Sequence, residues 1–314
     1  MNRKTISVIV PVFNEEPNIL NTYSEILKVF KSLEKYRLEL IFTDNHSNDD
    51  SFLILTKIAH TNKDVKVIRF KKNYGFNKSV LTGFQMATGD AAIQIDCDLE
   101  DPPIIIKEFI ELWELGHDVV SGVREYRDKF KIKQFGRNTF YKIFEFFSGF
   151  AYPKNTGDFS LLDRKILNQL KTVTDTSPFV RGLVTEMCTN PGSVHFRRNI
   201  RQYGNSKFPL RKLLQLSMEA IYAHSVTPLR FATYTGLLVA LVTMLLSGLY
   251  LFSWLMSSNP WPPGFATTTL LILFGVSINA LFLGIIGEYI GRIYLTTSKK
   301  PLVVIEKTFN IESK

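Results

Sequence analysis

Four carboxylates fall within six consecutive positions of this chain: Asp96, Asp98, Glu100 and Asp101. The apolar run Ala91-Ala92-Ile93 leads into them, and Pro102-Pro103 closes them off. Asp96 and Asp98 flank a single residue, so on an extended chain they point the same way, and Glu100 repeats the spacing. Like charges this close repel unless a proton or a metal intervenes. An all-oxygen set suits Mg²⁺ or Mn²⁺, and Mg²⁺ takes one or two carboxylates together with substrate phosphates. The alternative is a solvated acidic loop. A position between a buried strand and two prolines favours the cation.

Other residues extend this chemistry. "VPVFNEEPN" closes a first apolar strand and "FTDNHSND" a second. Asp44 and Asn45 offer acceptor and donor groups to a base or ribose, while Asn48 or Asp49 in the same stretch can cap the helix that follows. No G-x-x-x-x-G-K-[ST] and no G-x-G-x-x-G occurs, which removes a P-loop and a dinucleotide fingerprint. The five histidines make no zinc spacing. No G-x-S-x-G nucleophile elbow is found.

The elements that must position these groups alternate. "TISVIVPVF", "RLELIFTD", "VKVIRF", "DAAIQID" and "HDVVSGVR" read as strands. Between them, helical spacing runs through "EEPNILNTYSEILKVFKSL", near 50–60, from about 77 to 87, and through "PPIIIKEFIELWELG". Such an order predicts a mostly parallel sheet with helices on both faces, whose ligands bind at the carboxyl ends of the strands. The acidic cluster lies at one such end. "KPLVVIEKTFNI" reads as a short strand in the tail.

From Phe231 to Gly287 there is no Asp, Glu, Lys or Arg. Two apolar stretches, 229–256 and 265–291, flank the turn "SSNPWPPG", and each supplies the roughly 20 residues a membrane-spanning helix needs. A helix of a soluble protein normally shows a polar face. Arg230 and Arg211-Lys212 precede the first stretch, Arg292 and Lys299-Lys300 follow the second, and the turn is uncharged. This charge bias places both flanks in the cytoplasm, with Trp254 and Trp261 at the outer interface. "FYKIFEFFSGFAY" and "FPLRKLLQLSMEAIYAHSV" fit interfacial amphipathic helices. Gly287 and Gly291 stand at a helix-packing interval, and Glu288 lies four residues before Arg292. The expected organisation is a cytoplasmic domain over 1–207, a juxtamembrane helix over 208–228, two membrane helices within 229–292 and a cytoplasmic tail over 293–314. A net charge of +9 admits nucleic acid, an anionic membrane surface or phosphorylated substrates as partners. No basic run of the nucleic-acid type occurs, and the uncharged hairpin excludes a soluble nucleic-acid binder. The N-terminal apolar run is too short for a signal peptide. Cys97 lies between two acidic residues, so reduced thiols in a cytosolic compartment are expected.

Seven motifs in one order carry a resemblance: Pro11-x-x-Asn14-Glu15, "TDNHSND", "KNYGFNKSVLTGFQMATGD", "DCDLEDPP", "SGVREYR", "TGDFSLLDR" and "RQYGNSKFPLRKL". With the apolar hairpin, they resemble glycosyltransferase family 2 in its polyprenyl-phosphate branch. The match is to the bactoprenol glucosyltransferases, with dolichyl-phosphate mannose synthases as cousins. The resemblance implies a GT-A-type α/β domain and an inverting, metal-dependent transfer of a hexose to a polyprenyl phosphate such as undecaprenyl phosphate. UDP-glucose is the expected donor, with GDP-mannose and UDP-aminoarabinose as alternatives within the class. It implies Pro11, Asn14, Glu15, Asp44, Asn45, Asn73, Gly75 and Asp96 around the nucleotide, and Asp96, Asp98 and Glu100 on Mg²⁺ or Mn²⁺. Relatives often carry Gln at the position of Glu100 and an Asp pair where Asp44 and Asn45 stand. Arg124, Arg137, Arg201 and Lys207 would grip phosphates, and Asp158 stands where relatives place the catalytic carboxylate. A lipid phosphate is already anionic near neutral pH, with a second pKa of about 6. Asp158 is therefore expected to orient the acceptor or a cationic partner more than to remove a proton. Further expectations are a multi-pass protein of the plasma (inner) membrane and a homo-oligomer. A processive synthase would carry a Q-x-x-R-W motif, which is missing. A catalytically silent sugar-nucleotide sensor would not need Asp96, Asp98, Asp158 and Lys207 together.

Overall fold

A computed structural model describes residues 3–125, 156–175, 178–199, 227–256, 264–297 and 301–311. Strands β1 (Lys4–Val12), β2 (Tyr36–Asp44), β3 (Val65–Phe70), β4 (Ala91–Gln94) and β5 (Val119–Arg124) alternate with helices α1 (Glu16–Lys31), α2 (Ser51–Thr61), α3 (Phe76–Met86) and α4 (Ile106–Glu114). The expected strands and helices are found within a few residues. The tail strand read from "KPLVVIEKTFNI" is found as well, and the sheet holds two further strands. β6 (Thr156–Asp163), α5 (Arg164–Leu170), α6 (Val180–Met187) and β7 (Pro191–Phe196) follow, and β8 (Ile305–Phe309) closes the described chain.

The eight strands run in the order β7-β5-β6-β4-β1-β2-β3-β8. β1, β2, β3 and β4 pair parallel, as do β5 and β7. β6 is inserted antiparallel between β4 and β5, and β8 antiparallel along β3. The apolar runs of the strands are continuous because both faces are covered. Ile6, Val8, Val10, Leu40, Phe42 and Ile93 pack under α1, α2 and α4, whereas Ile9, Ile41, Ile68, Ala92 and Leu162 pack under α3, α5 and α6. Gly83 lets α3 lie close on Ile9, where a Cβ would collide with that side chain.

Two long helices, α7 (Thr227–Met256) and α8 (Phe265–Thr297), stand between this domain and β8. Their large apolar side chains, among them Leu237, Leu241, Leu245, Ile272, Phe274, Leu283 and Ile290, are exposed. Among the described residues, one window, Phe274–Gly291, is long and apolar enough to cross a membrane by length and composition. The helices approach each other at Gly236, where a Cβ would lie 3.2 Å from the Phe282 ring. Gly284, Gly287 and Gly291 face open space within this chain. Both amphipathic stretches read from the sequence, 140–152 and 208–226, lie outside the described residues.

Candidate active site

β1 lies between β2 and β4, and the crossovers leave it in both directions, which opens a crevice at its carboxyl end. Ile95 donates from its backbone to the Ile9 carbonyl at 3.0 Å, the last such bond between β1 and the β4 segment. By the two-residue period of a strand, the backbone of Pro11 faces the same side. A proline, which has no N–H, therefore costs no ladder bond there. Left-handed residues mark the carboxyl ends in turn: Asn14 (φ 55°) after β1, His46 (φ 64°) after β2, Gly75 (φ 91°) after β3 and Leu99 (φ 56°) after β4. Non-glycine residues in this conformation are uncommon and gather at functional sites.

Side chains stitch these loops together. Asn14 donates its N–H to Ser47 Oγ (3.0 Å), and its Oδ1 accepts from the Asn48 N–H (2.8 Å). Glu15 donates its N–H to Ser51 Oγ and accepts from Asn18. Asn45 donates to Asn73 Oδ1 (2.9 Å) and accepts from the Tyr74 N–H (2.8 Å), and the same Asn73 oxygen accepts from the Gly75 N–H. The Asn45 amide thus fastens two strand ends to each other. Asp44 is fully buried: its Oδ1 accepts from the Ser47 N–H, and its Oδ2 has no hydrogen bond. Burial pushes its carboxyl above the usual range, against the Ser47 donors and Arg69.

The acidic run begins two residues past β4. The antiparallel β4–β6 register pairs Gln94 with Ser160. Carried two residues further, it sets Asp96 opposite Asp158. Burial, then the neighbouring Asp158, Asp101 and Asp98 carboxylates, push the Asp96 carboxyl up to about 7, opposed by Arg124. Gln94 is fully buried and donates to Asp96 Oδ1 at 2.8 Å, with its own Oε1 unpaired. Asp101, 1% exposed, anchors two arginines. Arg124 grips it with two bonds (2.7 and 3.2 Å), and Arg198 reaches both Asp101 (3.1 Å) and Glu100 (2.6 Å). Arg124 lies over Gly157, where a Cβ would come within 2.7 Å of the guanidinium. Asp158 is held by Arg181 through two bonds, 2.9 and 2.6 Å. Burial lifts its carboxyl to about 6, with Arg124 opposing and Asp101 adding to the rise. The Arg181 fork favours the ionised form, so a carboxylate is what this pair presents at neutral pH. A cavity of about 240 Å³ adjoins the pair, lined by Val80, Phe84, Ser121, Ser160 and Thr185 among others.

The structure brings Asp96, Asp98, Asp158 and Arg124 to one strand end. Glu100 lies beside them with its carboxylate paired to Arg198. Among the described residues, no three His, Cys, Asp or Glu side chains converge as a ready metal cage. One or two carboxylates plus phosphate oxygens are nonetheless a set that Mg²⁺ or Mn²⁺ accepts, and the negative field that raises Asp96 is one a divalent cation would neutralise. Arg137, Arg201 and Lys207 lie outside the described residues. Sequence reasoning missed Arg181, Arg198 and the anchoring role of Asp101. Arg181 sits in "PFVRG" with no local signal, since its partner is 23 residues away.

The model of the family described as Glycosyl transferase family 2 matches residues 7–171. An uncharacterized glycosyltransferase of Bacillus subtilis is 37% identical over 310 residues, covering 98% of this chain and 95% of that one. A prophage-derived bactoprenol glucosyl transferase of Shigella flexneri is 33% identical over 304 residues, covering 96% and 98%. Among solved structures, a mannosyltransferase from Pyrobaculum calidifontis in complex with GDP-Man and Mn²⁺ is 18% identical with a TM-score of 0.47, covering 95% and 87%. By the match of the family model over half of the chain and near full-length likeness to glycosyltransferases, the chain belongs to glycosyltransferase family 2 and is a glycosyltransferase.

Proposed function

We propose that this glycosyltransferase moves a hexose from a nucleotide sugar, UDP-glucose by preference, to a polyprenyl phosphate at the cytoplasmic face of the plasma membrane, with inversion and with Mg²⁺ or Mn²⁺. The observation that carries the reading is the acidic strand end, where Asp96 stands opposite Asp158 and its carboxyl is pushed to about 7. Asp96 and Asp98 would hold the cation, which supplies charge neutralisation for the departing diphosphate. The bond from the sugar C1 to the diphosphate breaks with its electron pair on the diphosphate, and a lipid phosphate oxygen bonds C1 from the other side. That nucleophile needs no strong base near pH 7. Asp158, fixed by Arg181, therefore serves as an oriented negative charge beside the reacting centre. Arg124, turned over Gly157 by Asp101, sets the field between the two carboxylates. Arg137, Arg201 and Lys207 would meet the phosphates, and the stitched loops carrying Pro11, Asn14, Glu15, Asp44, Asn45, Asn73 and Gly75 the nucleotide.

The lipid acceptor draws support from α7, α8 and β8, and from the likeness to the Shigella bactoprenol glucosyl transferase. α8 holds the apolar window, and its large side chains are exposed. β8 then rejoins the sheet at β3, so the chain leaves the catalytic domain and returns to it on one side. A membrane crossing by α8 thus requires a second crossing, and α7 is the helix available. Seven residues separate Thr297 from Ile305. That chain spans at most roughly 25 Å, which keeps the sheet close to the bilayer surface. The organisation proposed is a catalytic domain over 1–207, a juxtamembrane helix over 208–228, two spans within 229–292 and a tail over 293–314.

The test incubates purified protein, Mg²⁺ and undecaprenyl phosphate with radiolabelled UDP-glucose, GDP-mannose and UDP-aminoarabinose in turn, then extracts lipid. Label from UDP-glucose in the organic phase supports the full reading. Label from another donor corrects the sugar. No label with any donor favours a silent sensor and overturns the proposal.

A further inference from the structure

The tail strand does more than cover an edge. β8 runs antiparallel along β3, with Arg69 opposite Lys307 and Phe70 opposite Ile305. Phe309 packs against Phe52 and His60, with ring centroids 6.1 and 5.6 Å apart. Asn310, in the left-handed conformation, donates its amide to the carbonyls of Ala59 (2.7 Å) and Val65 (2.8 Å). Leu302, Val303, Ile305 and Ile311 pack on the core beneath α3. The strand is therefore locked in register, and Glu306 has a fixed place.

That place is beside the end of β2. Glu306 Oε2 lies 3.3 Å from Arg69 Nε and 3.7 Å from His46 Nδ1. Arg69 lies over the Phe52 ring at 4.1 Å, and its Nη1 stops 3.6 Å from Asp44 Oδ2. This is too long for a hydrogen bond, and Oδ2 has none from any other described group. His46, left-handed, donates to the Phe70 carbonyl at 3.1 Å. One carboxylate of the tail thus holds the cation that faces Asp44 and touches the residue that turns the Asp44–Asn48 loop.

We propose that Glu306 is a positioning residue for nucleotide binding. By sharing Arg69, it keeps the guanidinium from closing on Asp44, and with His46 it sets the loop that carries Asn45 and Ser47. The inference rests on the reading of this strand end as the nucleotide pocket. It makes the tail, which follows directly on α8, the outer wall of that pocket.

The test uses the full-length protein in detergent with Mg²⁺. Binding of UDP and of GDP is measured by calorimetry, and kcat and KM for sugar transfer are measured alongside. Glu306→Gln is expected to weaken nucleotide binding and raise the donor KM about fivefold, the scale of one part-exposed ion pair, with kcat within about twofold. Glu306→Asp recovers part of the loss, because it keeps the charge. In an Arg69→Gln background, Glu306→Gln adds less than about twofold, because the two act as one unit. Wild-type affinity in Glu306→Gln, or effects that simply add in the double variant, would overturn the proposal. Should Glu306→Gln not fold, Glu306→Asp carries the same comparison, its shorter reach weakening binding without loss of kcat. A wild type that binds neither UDP nor GDP would sink the functional reading, and this inference with it.

Discussion

The two ends of one sheet treat their acids in opposite ways. Near the amino ends, Glu39 on β2 is met by Ser7, Lys66 and both donors of Thr88. Burial alone would raise its carboxyl, yet Lys66, Ser7 and Thr88 hold it below the usual range. Asp118, just before β5, likewise overcomes its burial and is pulled down to about 2 by Thr189, Asn190 and Cys188. At the carboxyl ends, Asp96 is pushed up to about 7, Asp158 to about 6, and Asp44 keeps a buried oxygen without a hydrogen bond. The amino end uses its acids for stability. The carboxyl end pairs Asp158 and Asp101 with arginines but leaves Asp96 among like charges, which lowers stability and favours a divalent cation and, through it, a phosphate-bearing ligand.

The comparison breaks most sharply at Asp96. Asp96→Asn should lower turnover about a thousandfold, the scale of removing one preorganised electrostatic contact, while the melting temperature stays level or rises as the repulsion is relieved. Retained turnover, or a clear drop in melting temperature, would put Asp96 with Glu39. Glu39→Gln is the mirror case. It should cost about 3 kcal/mol of stability, as for breaking a buried pair, with kcat/KM intact below the unfolding transition. Asp158→Asn should lose about a hundredfold in kcat without moving the acid limb of the rate profile, which the lipid phosphate sets. A shifted limb would make Asp158 a base. Arg181→Lys should fall in between, since a lysine keeps the charge and loses the fork.

The smallest effects are in the pH dependence of stability. The folded Asp96 carboxyl lies above its unfolded value, so the folded state holds the extra proton, and without metal stability falls as pH rises from about 4 to about 7. Mn²⁺ should raise the melting temperature by a few degrees at pH 7.5 and much less at pH 5. Equal shifts at both would place the ion elsewhere. Asp118 has the opposite sign: its contribution is present above about 4 and is lost as pH falls towards 2. The destabilisation caused by Asp118→Asn should therefore shrink to a small fraction as pH falls to 2. A gap that persists undiminished there would assign it to lost packing.

Legibility followed distance along the chain. β1 to β5 could be read because continuous apolar runs and helical spacing are local patterns. β6 could not: "TGDFSLLD" begins polar, and its place between β4 and β5 depends on strands some sixty and thirty residues away. The acidic pair was visible at its strand end, but the pairing of Glu100 with Arg198 and of Asp158 with Arg181 was not. Asn45 was legible as a nucleotide-contact candidate, but its link to the loop of Asn73 and Tyr74 was not.

The sequence by itself determined the alternating α/β order, the uncharged C-terminal stretch and the carboxylates at the end of the fourth strand, because periodicity and composition are properties of neighbours along the chain. Only the tertiary structure decided which of those carboxylates are neutralised and which are left to repel, and that the tail returns to stand beside Asp44. Coulomb energy depends on separation in space and on the surrounding dielectric. Folding sets both by bringing together residues that lie far apart in sequence, as with Arg69 and Glu306.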